Sequence, residues 1–190
     1  MKMPVGGHMI YKIVVCGANG AGKSTLGQYL AKQLKAKFVD IEDYYFSNPE
    51  ADYPYACART TEEVRDLLLA DMKRYDNIIL AAVKGDYGDE IESLFTGAVL
   101  VDVPKEVRQD RVRKRSFDKF GNRMLPGGDL HEQEKQFFDM VERRREQDIK
   151  DWLDAVRIPT ITVDGTKTKE HNAEMVAHWL ARDCCVDRES

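Results

Sequence analysis

The sequence predicts an α/β fold: a five-stranded parallel sheet flanked by helices on both faces. Three observations carry that expectation. Short apolar runs of strand length recur along the chain, amphipathic stretches of helix length separate them, and a glycine-rich turn joins the first run to the first such stretch. Strands that alternate with helices pair in parallel, and ligands then gather at the carboxyl ends of the strands.

The elements follow in order. MIYKIVVC, 9–16, is a β-rich run ending at a glycine, as a buried parallel strand does. STLGQYLAKQLK places Leu26, Leu30 and Leu34 on one stripe of a helix. KFVDI, 37–41, reads as a second strand running into an acidic loop. Thr60 and Glu63 have capping-box spacing ahead of Val64, Leu67, Leu68 and Met72, which makes 60–74 a helix. NIILAAV, 77–83, is an uninterrupted apolar run and hence a central strand; DEIESLF after it is short and helical. AVLVDV, 98–103, is another buried strand. Pro104 stands where a proline in the first helical position would, and the arginine-rich stretch continues helically through Lys119. GNRMLPGGD, 121–129, holds four glycine or proline positions and reads as a mobile loop. One long charged helix is expected next, with Phe137, Phe138, Val141, Ile149, Trp152 and Leu153 as its buried side. PTITV, 159–163, is the last strand, and 168–182, with Met175, Val176, Trp179 and Leu180, the last helix.

Composition narrows the class. The 190 residues are 43% apolar, enough for one domain with a real core. That domain is expected over 9–183, with 1–8 as a leader whose Gly-Gly-His-Met join resembles an appended segment, and 184–190 as a tail. With 29 basic against 33 acidic residues the formal net charge is −4, so no global field favours nucleic acid or an anionic membrane. No apolar run approaches the roughly 20 residues that span a bilayer. A soluble cytoplasmic protein of unspecified oligomeric state is the expectation. Cys16, Cys57, Cys184 and Cys185 lack the spacing of a metal site and read as reduced thiols, Cys16 as a small buried hydrophobe.

GANGAGKST, 17–25, carries the chemistry. Gly17, Gly22, Lys23 and Ser24 satisfy GxxxxGK[ST] between a strand and a helix. In that setting the backbone of Gly17, Asn19, Gly20, Ala21, Gly22, Lys23, Ser24 and Thr25 cradles phosphates, the helix N-terminus adds partial positive charge, Lys23 reaches the β and γ phosphates, and Ser24 ligates Mg2+. The fold is therefore expected to be that of P-loop NTPases, with ATP or GTP bound. DKFG, 118–121, matches one GTPase motif, but no NKxD follows it, and a small kinase fits the length better than a mechanical ATPase.

From about Met9 to about Arg182 the chain resembles the small P-loop kinases, the group of adenylate, shikimate and gluconate kinases. FVDIED, 38–43, looks like the Phe-x-Asp-x-Asp segment of shikimate kinases, with Glu42 in place of the second aspartate. Arg59-Thr-Thr-Glu62 is similar to that family's Arg-x-x-Glu. Val103-Pro104 with Arg111 and Arg115 resembles the strand, proline and paired arginines of adenylate kinases, and VDGTK, 163–167, the loop beside the adenine. The resemblance implies that Arg111 and Arg115, with Asp164 and Gly165, lie on the nucleotide; the glycine-rich stretch flanked by arginines is expected to be a lid over about 116–130, with Arg115 and Arg123 as the arginines that supply charge to the transferring group. The Asp-Gly-x-Pro-Arg of adenylate kinases and the Gly-Gly-Gly of shikimate kinases are missing, so neither substrate is implied.

Phosphoryl transfer needs positioning and charge neutralisation, for which Lys23, Mg2+ and mobile arginines are suited. Asp40, Glu42 and Asp43 follow the second strand on the acceptor side. An alcohol profits from a carboxylate that takes its proton, whereas an anionic phosphate does not, so these acids favour a hydroxyl acceptor. Asp40 has a second possible task, holding Mg2+ through water. Arg59 is placed to fork an acidic group on the substrate, and Lys84, Gly85 and Asp86 end the third strand as further substrate-side candidates. Tyr44, Tyr45, Tyr53, Tyr55 and Tyr87 cluster around these segments; Asp102 closes the fourth strand with its role open. The expected function is transfer of the γ-phosphoryl group of ATP to a hydroxyl of a small metabolite. The alternatives are a nucleoside monophosphate kinase, and an ATP-binding sensor without transfer.

Overall fold

The structure, a computed structural model, describes residues 10–46, 53, 55 and 57–183. The expected leader and tail, with Cys184 and Cys185, lie outside the described residues. Five strands form one sheet in the order β2-β3-β1-β4-β5: β1 Lys12–Cys16, β2 Lys37–Asp40, β3 Ile78–Ala81, β4 Gly97–Asp102 and β5 Thr160–Asp164. Every pairing is parallel, with Val14 opposite Leu80 on one side and Ala98 on the other. The five-stranded parallel sheet read from the sequence is the observed one.

Period-two alternation decides what each face buries. Ile13 and Val15 of β1 join Leu26 and Leu30 of α1 (Lys23–Leu34) and Trp179 of α8 (Lys169–Asp183) in one core. Val14 and Cys16 turn to the other face, against Leu68 and Met72 of α3 (Thr61–Arg74) and Trp152. Both faces are covered, which is why β1 and β3 read as continuous apolar runs. Cys16 is fully buried, and burial pushes its thiol up to about 12, so it packs as a hydrophobe. β1 is central, with β3 on one side and β4 on the other, and the helix that follows it, α1, packs on the face opposite α3. A crevice therefore opens beyond its carboxyl end, where the glycine loop begins.

Several local expectations change. The segment after β2 is a short helix, α2 (Ile41–Tyr45), rather than a loop: Asp40 caps it by accepting from the Glu42 N–H at 3.1 Å. Thr60 caps α3 with the full reciprocal box. DEIESLF yields only the brief α4 (Asp89–Glu92). Pro104 stands at the cap of α5 (Lys105–Phe120), one position before its expected place, because its ψ of 140° is extended. The loop 121–129 starts with a 3-10 turn over Gly121–Met124.

The long charged helix is two helices, α6 (His131–Arg143) and α7 (Gln147–Val156). Arg144 is extended at the break, and the side chains of residues 144 and 146 turn inward to partners on other elements: Arg144 to Asn19, Glu146 to Arg108. Ile149, Trp152 and Leu153 are buried as expected, whereas Phe137 and Phe138 are only half-buried and Glu134 takes the interior position.

Candidate active site

The loop between β1 and α1 is folded by glycine conformation. Gly20 has φ +80° and lies under the Arg108 carbonyl, leaving no room for a Cβ. Gly22 caps α1 with φ +98°, and there a Cβ would meet nothing within 4 Å; its conformation, not crowding, requires glycine. The α1 N-terminus consequently opens into a cavity of about 650 Å³. Asn19, Gly20, Gly22, Lys23, Ser24 and Thr25 line it, while Gly17 and Ala21 support the loop from behind.

Lys23 is the electrostatic centre. Its ammonium donates to the Ala18 carbonyl at 3.1 Å. Burial lowers its pKa, Glu42 and Asp40 hold it up, and Arg115 and Arg144 push it down again, leaving it at about 8. Asp40 and Glu42 both line the cavity. One pocket thus presents a phosphate-sized cradle, a cation and two carboxylates.

The remaining expected residues divide. Arg111 and Arg115 line the cavity, and Arg111 bridges the loop to the strand β5 exit by donating to the Gly165 carbonyl at 3.0 Å. Gly165 packs so closely that a Cβ would lie 2.7 Å from the Ala21 carbonyl. Asp164 is off the cavity wall, turned to the Thr166 N–H and hydroxyl, which hold its carboxyl below the usual range. Lys84 and Asp86 line the cavity as an ion pair at 2.7 Å.

Besides Gly17, Ala21, Asp164 and Gly165, four more expected residues are not in the cavity wall: Gly85, Arg59, Asp43 and Arg123. Gly85 is buried: a Cβ would come within 2.8 Å of Phe95 and Trp152, so its small size serves packing. Arg59 donates to the Tyr44 carbonyl at 2.7 Å, fastening the end of α2. Asp43 is exposed on the outer face of α2. Arg123 forks Asp129, with contacts of 2.6 and 3.0 Å. Asp102 is exposed, and its carbonyl accepts from the Gly165 N–H at 2.8 Å.

The structure adds groups that sequence reading passed over: Arg144, Arg145, Asp148, Lys119, Phe46 and Phe137. Arg144 donates to Asn19 Oδ1 at 2.8 Å. A signal existed, because no apolar residue occurs between Val141 and Ile149, a gap longer than a helix stripe tolerates. Tyr45, Tyr53, Tyr55 and Tyr87 reach the cavity; Tyr44 instead donates to Asp71.

A parallel sheet with this loop at its switch point defines a P-loop nucleotide-binding class. Residues 13–123 match the family described as AAA domain, and the chain belongs to that family. It is 28% identical over 177 residues to the uncharacterized protein YqaC of Bacillus subtilis (strain 168), covering 89% of this chain and 97% of YqaC. It is also 24% identical over 103 residues to a shikimate kinase of Clostridium botulinum (strain Alaska E43 / Type E3), covering 52% of this chain and 62% of that enzyme's length. Among solved structures it shares its fold with a gluconokinase from Sinorhizobium meliloti 1021 at TM-score 0.54 and 15% identity, over 93% of this chain and 94% of the other. These likenesses support a small P-loop kinase.

Proposed function

We propose that the chain is an ATP-dependent kinase that transfers the γ-phosphoryl group to a hydroxyl of a small metabolite in the cytoplasm. The observation that carries this reading is Lys23, which faces the glycine loop and the Asp40/Glu42 carboxylates within one cavity. Donor phosphates bind along 17–25. Lys23, Arg115 and Arg144 spread the charge of the transferring group, and Arg111 and Gly165 flank the nucleotide. Asp40 or Glu42 orients the acceptor hydroxyl and accepts its proton as the oxygen–phosphorus bond forms and the bond to ADP breaks.

The residues present fit Mg2+. Ser24 lines the cavity on the first turn of α1, beside the open side of Gly22 and in the same pocket as Asp40. No cluster of three or more metal-ligating side chains occurs among the described residues, which suits an ion carried largely by phosphates and water. Ser24 and, through water, Asp40 would hold Mg2+ there, and the ion would supply charge neutralisation to the phosphates. Residues 9–183 act as one domain in this reading, with 116–130 as a lid; Arg123 joins the transferring group only by exchanging Asp129 for it on closure.

A coupled ADP-release screen of nucleosides, nucleotides, sugars and hydroxy acids with Mg-ATP tests the proposal. Transfer to a hydroxyl compound is expected. Transfer only to nucleoside monophosphates would favour an adenylate kinase-like activity, and tight ATP binding without transfer a sensor. Asp40→Asn should lower turnover far more than ATP affinity; equal losses would assign Asp40 to the metal instead.

A further inference from the structure

One part of the cavity wall is unused by that chemistry: a cluster of aromatic rings. Phe46 just past α2, Tyr53 and Tyr55 beyond it, and Phe120 at the end of α5 all line the cavity. Centroids lie 5.1 Å apart for Phe46 and Tyr55, 5.6 Å for Tyr53 and Tyr55, and 5.5 Å for Tyr53 and Phe120. Aromatic clusters ordinarily build cores, but none of these four rings belongs to either core that clads the sheet. Phe46, Tyr53 and Tyr55 stay half-buried.

Two further observations describe a built platform. Lys119 Nζ donates to the Tyr55 hydroxyl at 3.2 Å and sits 4.4 Å from its ring centroid, so a cation on α5 fixes that ring at its polar end. The Tyr53 hydroxyl donates to Glu134 Oε1 at 3.1 Å, and Glu134 is 1% exposed. A ring held from behind by a buried carboxylate is oriented before any ligand arrives. Arg59, the cation expected to fork an acidic acceptor, is turned onto the Tyr44 carbonyl instead. Against such a wall a flexible polyhydroxy acid leaves hydroxyls facing carbon, whereas a flat ring stacks.

We propose that Phe46, Tyr53, Tyr55 and Phe120 form a stacking subsite for the planar heteroaromatic ring of the phosphoryl acceptor, a nucleoside whose hydroxyl takes the phosphoryl group. The inference rests on the kinase reading and adds the acceptor's chemical class.

Calorimetric titration of the full chain saturated with Mg-ADP tests it, with common nucleosides, their 5′-monophosphates, ribose, gluconate and shikimate as ligands. At least one nucleoside is expected to bind ~10-fold or more tighter than ribose, gluconate or shikimate, none of which carries an aromatic base. Tyr55→Ala should weaken it roughly 5- to 150-fold, with Tyr55→Phe near wild type and Mg-ADP affinity within about two-fold. Phe46→Leu, which keeps apolar bulk but removes the π face, guards against a misfolded alanine variant. Binding of 5′-monophosphates ~10-fold or more tighter than their nucleosides would overturn the nucleoside as acceptor. Three results would overturn the subsite: base-bearing compounds binding no tighter than ribose, affinity unchanged in folded Tyr55→Ala and Phe46→Leu, or a base-bearing compound displacing Mg-ADP. Loss of Mg-ADP binding by the wild-type chain would instead sink the kinase reading beneath it.

Discussion

Arg144 Nη1 donates a hydrogen bond to Asn19 Oδ1 at 2.8 Å, joining the break between α6 and α7 to the phosphate loop. Asn19 is 7% exposed, so its amide oxygen is a fixed acceptor that holds the guanidinium at the cavity wall. In the kinase reading Arg144→Ala should lower kcat/KM by ~10³-fold, the lower end of what a charge-stabilising arginine contributes to phosphoryl transfer. Arg144→Lys should recover little, since an ammonium lacks the planar fork. Steady-state kinetics on the best acceptor checks both; wild-type rates in Arg144→Ala would remove it from the transfer step.

Lys23 makes stability and nucleotide affinity depend on pH in opposite ways. Its folded pKa of about 8 lies below the ordinary 10.5, chiefly through burial. Between those values the unfolded chain binds the proton and the folded chain does not, so stability rises with pH across that window, and below it the charged lysine carries its burial cost. Lys23→Met should therefore stabilise the ligand-free chain by ~1–3 kcal/mol at pH 7, an advantage that fades towards pH 10.5. Urea titrations across pH measure it. Nucleotide phosphates favour the charged lysine, so Mg-ADP affinity of the wild type should weaken above about pH 8, approaching ~10-fold per pH unit.

Glu146 neutralises a buried cation. Arg108 is 5% exposed, donates from Nε to the Val103 carbonyl at 2.9 Å, and pairs with Glu146, while its own carbonyl underlies Gly20 of the loop. Glu146→Ala leaves the guanidinium without its carboxylate and should destabilise the fold by ~1–3 kcal/mol, below the cost of a fully buried pair because Glu146 itself is partly exposed. Thermal unfolding reads the loss, and a weaker Mg-ADP affinity should accompany it through the loop.

Gly85 and Asp86 separate packing from substrate contact. Gly85→Ala drives a methyl into Phe95 and Trp152 and should cost ~1–3 kcal/mol of stability, leaving the acceptor KM nearly unchanged in the folded fraction. Asp86→Asn frees Lys84 in the cavity wall and should alter acceptor KM with little change in unfolding midpoint. The reverse pattern would return Gly85 to the substrate.

Much of this was legible because it is local. Apolar runs, the Thr60/Glu63 box and the spacing from Gly17 to Ser24 are encoded within a few residues, and each has one physical solution. Expectation and geometry part where a local pattern was real but its partner was distant. RTTE resembled a substrate arginine, yet Arg59 closes on the Tyr44 carbonyl; VKGD suggested an acceptor loop, yet Gly85 fills the space beside Trp152. The charged stretch after 121–129 looked like one helix because charge density alone does not mark a break whose cause is a contact elsewhere.

By itself, then, the sequence determined the sheet, its parallel sense, the phosphate loop and the place of the acids after β2, all consequences of hydrophobic period and short-range backbone geometry. Only the tertiary structure decided which charges and rings meet. Arg144 reaches Asn19 across 125 positions, and Tyr53 and Phe120 come together 5.5 Å apart from separate elements. Such encounters depend on how helices cross and where the chain turns, which no local spacing records.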